Sequence, residues 1–134
     1  MVRANFPTAA RTAAAIRVSL EKNDDEAADR LVTELLGWVI GAEGNIPVGV
    51  LEQPASTGDV RYDTLLAVGL AYALTVRGRP VAPWMEDVAP LAREWLWDGD
   101  DVASSDFRAY IRRNTPSMFL EKGLLLRDAD IRTM

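Results

Sequence analysis

The stretch Leu65-Leu66-Ala67-Val68-Gly69-Leu70-Ala71-Tyr72-Ala73-Leu74 decides the fold, because it is apolar at nearly every position. A helix that is apolar on all sides is surrounded by other elements. Asp59 can cap the start of this helix, and Gly78 followed by Pro80 is the usual signal for its end. The sequence therefore predicts a central helix that starts after Asp59 and runs to about Arg77.

Two helices are expected before the central one. Thr8 can cap the first with its hydroxyl. Asn23 can cap the second, since Glu26 three residues later resembles a capping box, and its apolar residues keep helical spacing up to Gly41. Two prolines and three glycines in residues 44–58 then predict a long loop. The apolar residues of this loop that could lie extended on the core are Val48, Val50 and Leu51.

Two more helices are expected after the central one. The fourth begins at Pro83 and runs to Leu96, with a bend or break at Pro90 because proline lacks an amide donor. The fifth is capped by Ser104 or Ser105. Its residues expected to face inward are Phe107, Tyr110 and Ile111.

The end of the chain completes the predicted fold. Thr115-Pro116 starts a sixth, short helix that Gly123 stops, Leu124-Leu125-Leu126 is extended, and Asp128 caps a final turn. No alternating apolar run is long enough for a substantial sheet. The predicted fold class is all-α, a compact single-domain bundle of six or seven helices spanning residues 1–134, with a long loop at about residues 44–58.

Cysteine and histidine are both absent, which excludes several classes of function. A disulfide framework, a thiolate nucleophile, the usual zinc site and an imidazole base all need one of them. Catalysis would have to use carboxylates, hydroxyls, tyrosine or the two lysines. The net charge of −5 argues against a chain-wide nucleic-acid surface. We therefore expect no enzyme, no catalytic residue, no cofactor and no bound metal.

Two acidic features could still carry chemistry. The turn Asp98-Gly99-Asp100-Asp101 lacks the glycine and the glutamate that a calcium loop has at its sixth and twelfth positions. A magnesium ion held by two aspartates stays open there, against a solvated turn. Glu94 stands beside Trp95, and a surface position on an amphipathic helix is the simpler interpretation.

The main basic cluster lies on the predicted fifth helix. Arg108 and Arg112 share one helical face because they are four residues apart, and Arg113 follows directly. The cluster could meet an acidic partner surface. Alternatively, Asp106 and the acids of residues 98–101 could neutralise it locally.

Other candidate contact residues lie on the first helix and among the tryptophans. Trp97 is off the apolar stripe of Trp84 and Trp95, and an exposed tryptophan is typical of an interface. Arg11 and Arg17 lie away from the apolar stripe of the first helix. The partner-binding candidates are therefore Arg108, Arg112, Arg113, Trp97, Arg11 and Arg17.

Two motifs resemble those of a known group of proteins. Residues 57–67, Thr-Gly-Asp-Val-Arg-Tyr-Asp-Thr-Leu-Leu-Ala, resemble the pattern T-G-D-x-R-[WY]-D-x-L-L-A, and residues 78–84 follow with G-x-P-x-x-P-W. Residues 115–123 match T-P-x-x-F-x-x-[RK]-G. Both patterns are similar to those of small actinobacterial antitoxins or regulators of toxin–antitoxin modules, often encoded beside a nucleotidyltransferase-like toxin. Many members carry an N-terminal helix-turn-helix, whereas residues 8–41 give two helices with an acidic junction, which is unfavourable near a phosphate backbone.

The resemblance implies a role without catalysis. We expect an antitoxin-like protein that binds and neutralises a toxin encoded nearby, through the first helix, the 44–58 loop and the arginine faces. The alternatives are a DNA-binding transcriptional regulator, with a homodimer left open, and a small enzyme that uses carboxylates. No targeting segment or membrane span of about 20 residues is evident, so we expect a cytoplasmic protein.

Overall fold

Helices form most of the chain in the computed structural model, which describes residues 7–47, 49–97 and 99–132. The predicted all-α class is confirmed. The helices found there are α1 (Ala9–Glu21), α2 (Asp25–Gly41), α3 (Val60–Val76), α4 (Pro83–Glu86), α5 (Ser105–Arg113), α6 (Ser117–Leu120) and α7 (Asp128–Ile131). Two short strands, β1 (Trp95–Leu96) and β2 (Leu124–Leu125), pair in parallel.

The predicted central helix is α3. It is buried along most of its length and packs against α1, α2, α4 and α6. Leu65, Leu70 and Ala73 have no exposed surface, although they point in different directions around the helix. Within the described ranges, no helix combines the length and the apolar character needed to cross a bilayer.

The closest approach between α2 and α3 occurs at Gly69. A Cβ atom placed on Gly69 would lie 2.7 Å from Cδ1 of Leu36, and Leu36 is itself completely buried. The absence of a side chain at this position therefore allows α2 to pack close to the central helix.

Hydrogen bonds fix the start of α3. Asp59 Oδ1 accepts from the amide of Arg61 at 2.9 Å, which confirms the predicted cap, and the Arg61 side chain pairs with the same carboxylate. The hydrogen bond from Arg61 lowers the pKa of Asp59. Asp63 accepts from the amide and the hydroxyl of Thr57, both at 2.7 Å, and from the Ser56 hydroxyl at 2.6 Å. The T-G-D motif is thus a rigid entrance to the central helix.

The predicted fourth helix is wrong beyond its first turn. α4 ends at Glu86, and the chain then runs without helix to β1. Pro90 has no amide to continue a helix. The backbone bonds across the fold instead, with Trp95 N donating to Gly123 O at 2.9 Å and Trp97 N to Leu125 O at 3.1 Å. The expected extended conformation at Leu124 is confirmed by this pairing.

Two of the predicted caps are displaced by one residue. Asp24, not Asn23, accepts the Ala27 amide at the start of α2, at 3.1 Å. Asn23 instead has a positive φ of 57°, which turns the chain between α1 and α2. Asp128 is the first residue of α7, and Arg127 precedes it as the cap. Thr8 and Ser104 cap α1 and α5 as expected.

The long loop is a strap over the core, within its described residues 44–47 and 49–58. The amide of Ala9 donates to Val50 O at 2.8 Å, and Val50 is buried. The indole nitrogen of Trp84 donates to Leu51 O at 3.0 Å. α1 and α4 thus both hold the strap at these two adjacent residues. Val48, expected in the extended piece, lies outside the described residues.

We expect Gly69→Val to lower the free energy of unfolding by about 1–3 kcal/mol, because Leu36 has no room to move away. Gly37→Ala on α2 is the matched control, since nothing lies within 4 Å of a Cβ there. This control should raise stability by up to about 1 kcal/mol through helix propensity. Urea unfolding of both variants measures the difference. Equal stability of the two variants would contradict the close approach.

A tyrosine on α3 holds α7. The hydroxyl of Tyr72 donates to Asp128 Oδ1 at 2.5 Å, and the ring packs 5.0 Å from that of Phe119. Burial, followed by the hydrogen bond to Asp128, raises the pKa of Tyr72 to about 12.

This raised pKa predicts a loss of stability in alkali. An unfolded tyrosine ionises near pH 10. The contribution of Tyr72 is therefore complete below about pH 10 and is lost as the pH rises towards 12. The ultraviolet absorbance of tyrosinate, compared between the native chain and Tyr72→Phe, should show one group that ionises near 12. A difference curve centred near 10 would show that Tyr72 is not held in this way.

Candidate protein-binding groove

The predicted arginine cluster is largely neutralised inside the fold. Arg112 forms a two-pronged pair with Glu94, one contact being 2.5 Å. Arg108 pairs with Asp100 and also contacts Glu94 at 3.5 Å. Nearby acids thus neutralise both arginines. The acids are Glu94 and Asp100 rather than Asp106. Glu94 is a structural residue that the sequence pattern did not identify.

The expected exposure of Trp97 is wrong, because this residue is only 7% exposed. Its indole nitrogen donates to Asp29 Oδ1 at 2.7 Å, and the hydroxyl of Tyr62 donates to the same oxygen at 2.6 Å. Burial and this hydrogen bond raise the pKa of Tyr62. Asp29 therefore joins α2, α3 and the end of β1 by accepting from two aromatic residues.

The remaining candidate arginines lie on two different helices, α1 and α5. Arg17 on α1 bonds Ser56 O at 3.3 Å and lies 3.6 Å from Glu21. Arg11 and Arg113 have exposed side chains. α1 packs against α2 and α3, whereas α5 packs against β2, so the six predicted contact residues are spread over two regions.

Two aromatic residues of α5, expected to face inward, are exposed. Phe107 and Tyr110 are 45% and 42% exposed, with ring centroids 6.3 Å apart. Only Ile111 of this helix is buried, in a small cluster with Leu96 and Leu125. α5 lies at the periphery of the fold. For this reason only one of its side chains is buried, and the rest of its apolar face stays exposed.

A groove runs along the outer side of α2 and is called the α2 groove below. It consists of two adjoining cavities of about 270 and 600 Å³ that share Arg30 and Thr33. The residues lining the first cavity are Asp29, Arg30, Thr33, Leu96, Trp97, Phe107, Ile111, Arg127 and Asp130. Those lining the second are Arg30, Thr33, Glu34, Gly37, Ile40, Gly41, Ile131 and Arg132. The groove follows α2 for about 18 Å, at 1.5 Å per residue.

The α2 groove contains two glycines without side chains and two charged residues without partners in the described part of the chain. Gly37 and Gly41 are exposed, and no atom lies within 4 Å of a Cβ built on either. Arg30 and Glu34 are also exposed, and neither forms a hydrogen bond or ion pair in the part of the chain that the structure describes. A groove that combines apolar surface with uncommitted charges is suited to an amphipathic helix.

The acidic turn offers little for a metal ion. Asp100 accepts from the amide of Leu96 at 3.0 Å and pairs with Arg108, so its carboxylate is occupied. Asp98 lies outside the described residues. Over residues 7–47, 49–97 and 99–132, no group of three or more acidic residues is placed to hold a metal.

Comparison with known proteins gives no match: no family model, no curated protein and no solved structure corresponds to this chain. The geometry of the α2 groove is therefore the basis for a functional proposal. Gly37 is the groove residue that the sequence could have indicated. An isolated glycine inside a helical pattern is often there because something packs closely against it.

Replacing Asp29 should weaken the groove wall. Asp29→Ala leaves two buried donors, on Tyr62 and Trp97, without their acceptor. Each unsatisfied donor costs about 1–3 kcal/mol, so the free energy of unfolding should fall by about 2–6 kcal/mol. Asp25→Ala on the exposed first turn of α2 is the control, and should cost less than about 1 kcal/mol. Urea unfolding that gives the two variants the same stability would contradict the joint role of Asp29.

Proposed function

We propose that this chain is an antitoxin-like protein that binds and neutralises a partner toxin by holding a helix of the toxin in the α2 groove. The resemblance of the T-G-D and T-P-x-x-F motifs points to this class, and to a nucleotidyltransferase-like toxin as the partner. We expect the two proteins to meet in the cytoplasm. The observation that carries the proposal is the exposed Gly37 at the floor of the groove.

Within the described part of the chain, nothing packs closely against Gly37. Glycine in a helix interior costs about 1 kcal/mol relative to alanine. At Gly69 this cost is offset by close packing against Leu36, but nothing lies within 4 Å of a Cβ at Gly37. A glycine on an open helix face allows another backbone to approach closely from outside. An external helix lying over Gly37 is the simplest physical reason for its presence.

The groove also indicates the character of the partner helix. A length of about 18 Å accommodates about 12 helical residues. Phe107, which is 45% exposed, offers an apolar contact in the first cavity, and the half-buried Ile40 offers one in the second. Arg30 and Glu34 favour a partner helix with an acid near the first and a base near the second. Aromatic and arginine side chains of this kind are enriched at interface hot spots.

The two alternatives have less support. DNA binding would use the cluster of α5, but Arg108 and Arg112 are paired with Asp100 and Glu94. Catalysis by carboxylates would need a pair of acids across a cleft. The acids of the α2 groove are Asp29 and Asp130, which already accept hydrogen bonds, and the free Glu34.

Gly37→Leu tests the proposal directly. No described atom lies within 4 Å of a Cβ at Gly37, so we expect the leucine variant to fold normally and to occupy part of the groove. We expect its affinity for the product of the neighbouring gene to fall at least about tenfold, equivalent to about 1.4 kcal/mol. Co-purification and rescue of growth in cells that express that product are the measurements. Rescue should be lost together with the complex.

Ala14→Leu is the matched control, because it adds the same bulk to an exposed position of α1, away from the groove. It should bind and rescue like the native chain. Loss of binding in Ala14→Leu with normal binding in Gly37→Leu would move the interface to α1 and overturn the groove assignment. Absence of any complex between the native proteins at micromolar concentration would overturn the function itself.

A further inference from the structure

A separate cavity lies where the strap crosses α3 and α4. Its volume is about 400 Å³, within the usual range for small-molecule sites. The residues lining it are Gln53, Pro54, Ala55, Ser56, Asp63, Leu66, Ala67, Trp84, Asp87 and Val88. It shares none of these residues with the α2 groove, so the two sites can be tested independently.

The ionisable side chains that line this cavity are both acidic. Asp63 stands at one side, already oriented by Ser56 and Thr57. Asp87 is exposed, and its carboxylate makes no hydrogen bond or ion pair among the described residues. Its negative charge is therefore available to a ligand.

The cations around this region are directed elsewhere. Arg17 bonds the backbone carbonyl of Ser56 at 3.3 Å but does not line the cavity. Lys122 lines a different cavity, and its Nζ donates to the carbonyls of Val88 at 2.6 Å and Glu86 at 3.3 Å. Among the described residues, no lysine or arginine lines the cavity, so the two aspartates give its wall a net negative charge.

The rest of the wall is aromatic and apolar. Trp84 is held by its hydrogen bond to Leu51 O, which leaves the indole nitrogen occupied and the ring fixed. The apolar lining consists of Pro54, Ala55 and Val88 together with the buried Leu66 and Ala67, and Gln53 also lines the cavity. An indole ring beside carboxylates attracts organic cations, since the ring face is electron-rich and the carboxylates supply the opposite charge.

We propose that this cavity binds an organic cation that carries a guanidinium or alkylammonium group. An alkyl stem lies against Leu66 and Ala67, while the charged head lies between Asp87 and Asp63 with Trp84 beside it. A bare metal ion is a poorer match, because no group of three acids is placed to coordinate one in the described part of the chain. The cation is either a free amine or a basic side chain of a bound protein.

Titration with agmatine, followed by two-dimensional amide NMR at low salt, tests this site. We expect saturable shifts at residues 53, 55, 56, 63 and 84–88, and weaker binding when the ionic strength is raised from about 0.01 to 0.15 M. Asp87→Asn should weaken binding about fivefold, the value of one charge pair at close range in water. Asp101→Asn removes an exposed acid outside the cavity and should leave binding unchanged. 1,4-Butanediol, which has no charge, should not bind.

A blocked Gly-Arg-Gly peptide distinguishes the two sources. Tighter binding of the peptide than of agmatine assigns the cavity to a basic side chain of a protein, and the reverse assigns it to a free amine. Equal weakening by Asp87→Asn and Asp101→Asn would show that only general charge attraction is present and would overturn the proposal. Absence of shifts with both probes would overturn it too. Neither result bears on toxin binding, which Gly37→Leu tests at the other site.

Discussion

The structure depends on the need to cover α3 on every side. Its apolar surface is continuous around the helix, so each neighbouring segment is placed by contact with it. α1 and α2 supply long helices for this purpose, while the other sides are covered by the short helices α4 and α6 and by the strap. α5 packs mainly against β2 rather than against α3, and it buries only Ile111 while Phe107 and Tyr110 stay partly open.

The sequence was sufficient where local pattern determines structure. The spacing of apolar residues placed α1, α2 and α3, and Thr8, Asp59 and Ser104 were identified as caps because a cap bonds its own helix. It was insufficient after α4, where the backbone of Trp95 and Trp97 bonds residues 123 and 125. No local pattern encodes such a long-range pairing. The spacing of the tryptophans does not by itself distinguish a helix from an irregular segment.

At the candidate site, too, the local features could be predicted and the long-range contacts could not. Trp97 was placed at a surface because its partner Asp29 is 68 residues away in sequence. The sequence predicts that nearby acids can neutralise Arg112, but the acid that does so is Glu94, 18 residues earlier, rather than Asp106 or the acids of residues 98–101. The α2 groove involves α2, α5 and α7, and its existence follows from how these helices meet. Gly37 was visible in the sequence as a lone glycine in a helical pattern, but only the packing around it shows that the space beside it is empty.

The shared acceptor on Asp29 has a consequence for recognition. Because Tyr62 and Trp97 bond the same oxygen, the wall of the groove is anchored to the interior before any ligand arrives. A receptor of this kind loses little side-chain entropy on association, so preorganisation contributes to its affinity. Under the proposed function, this rigidity would favour discrimination by shape, since the wall cannot yield without separating the carboxylate of Asp29 from the donors of Tyr62 and Trp97.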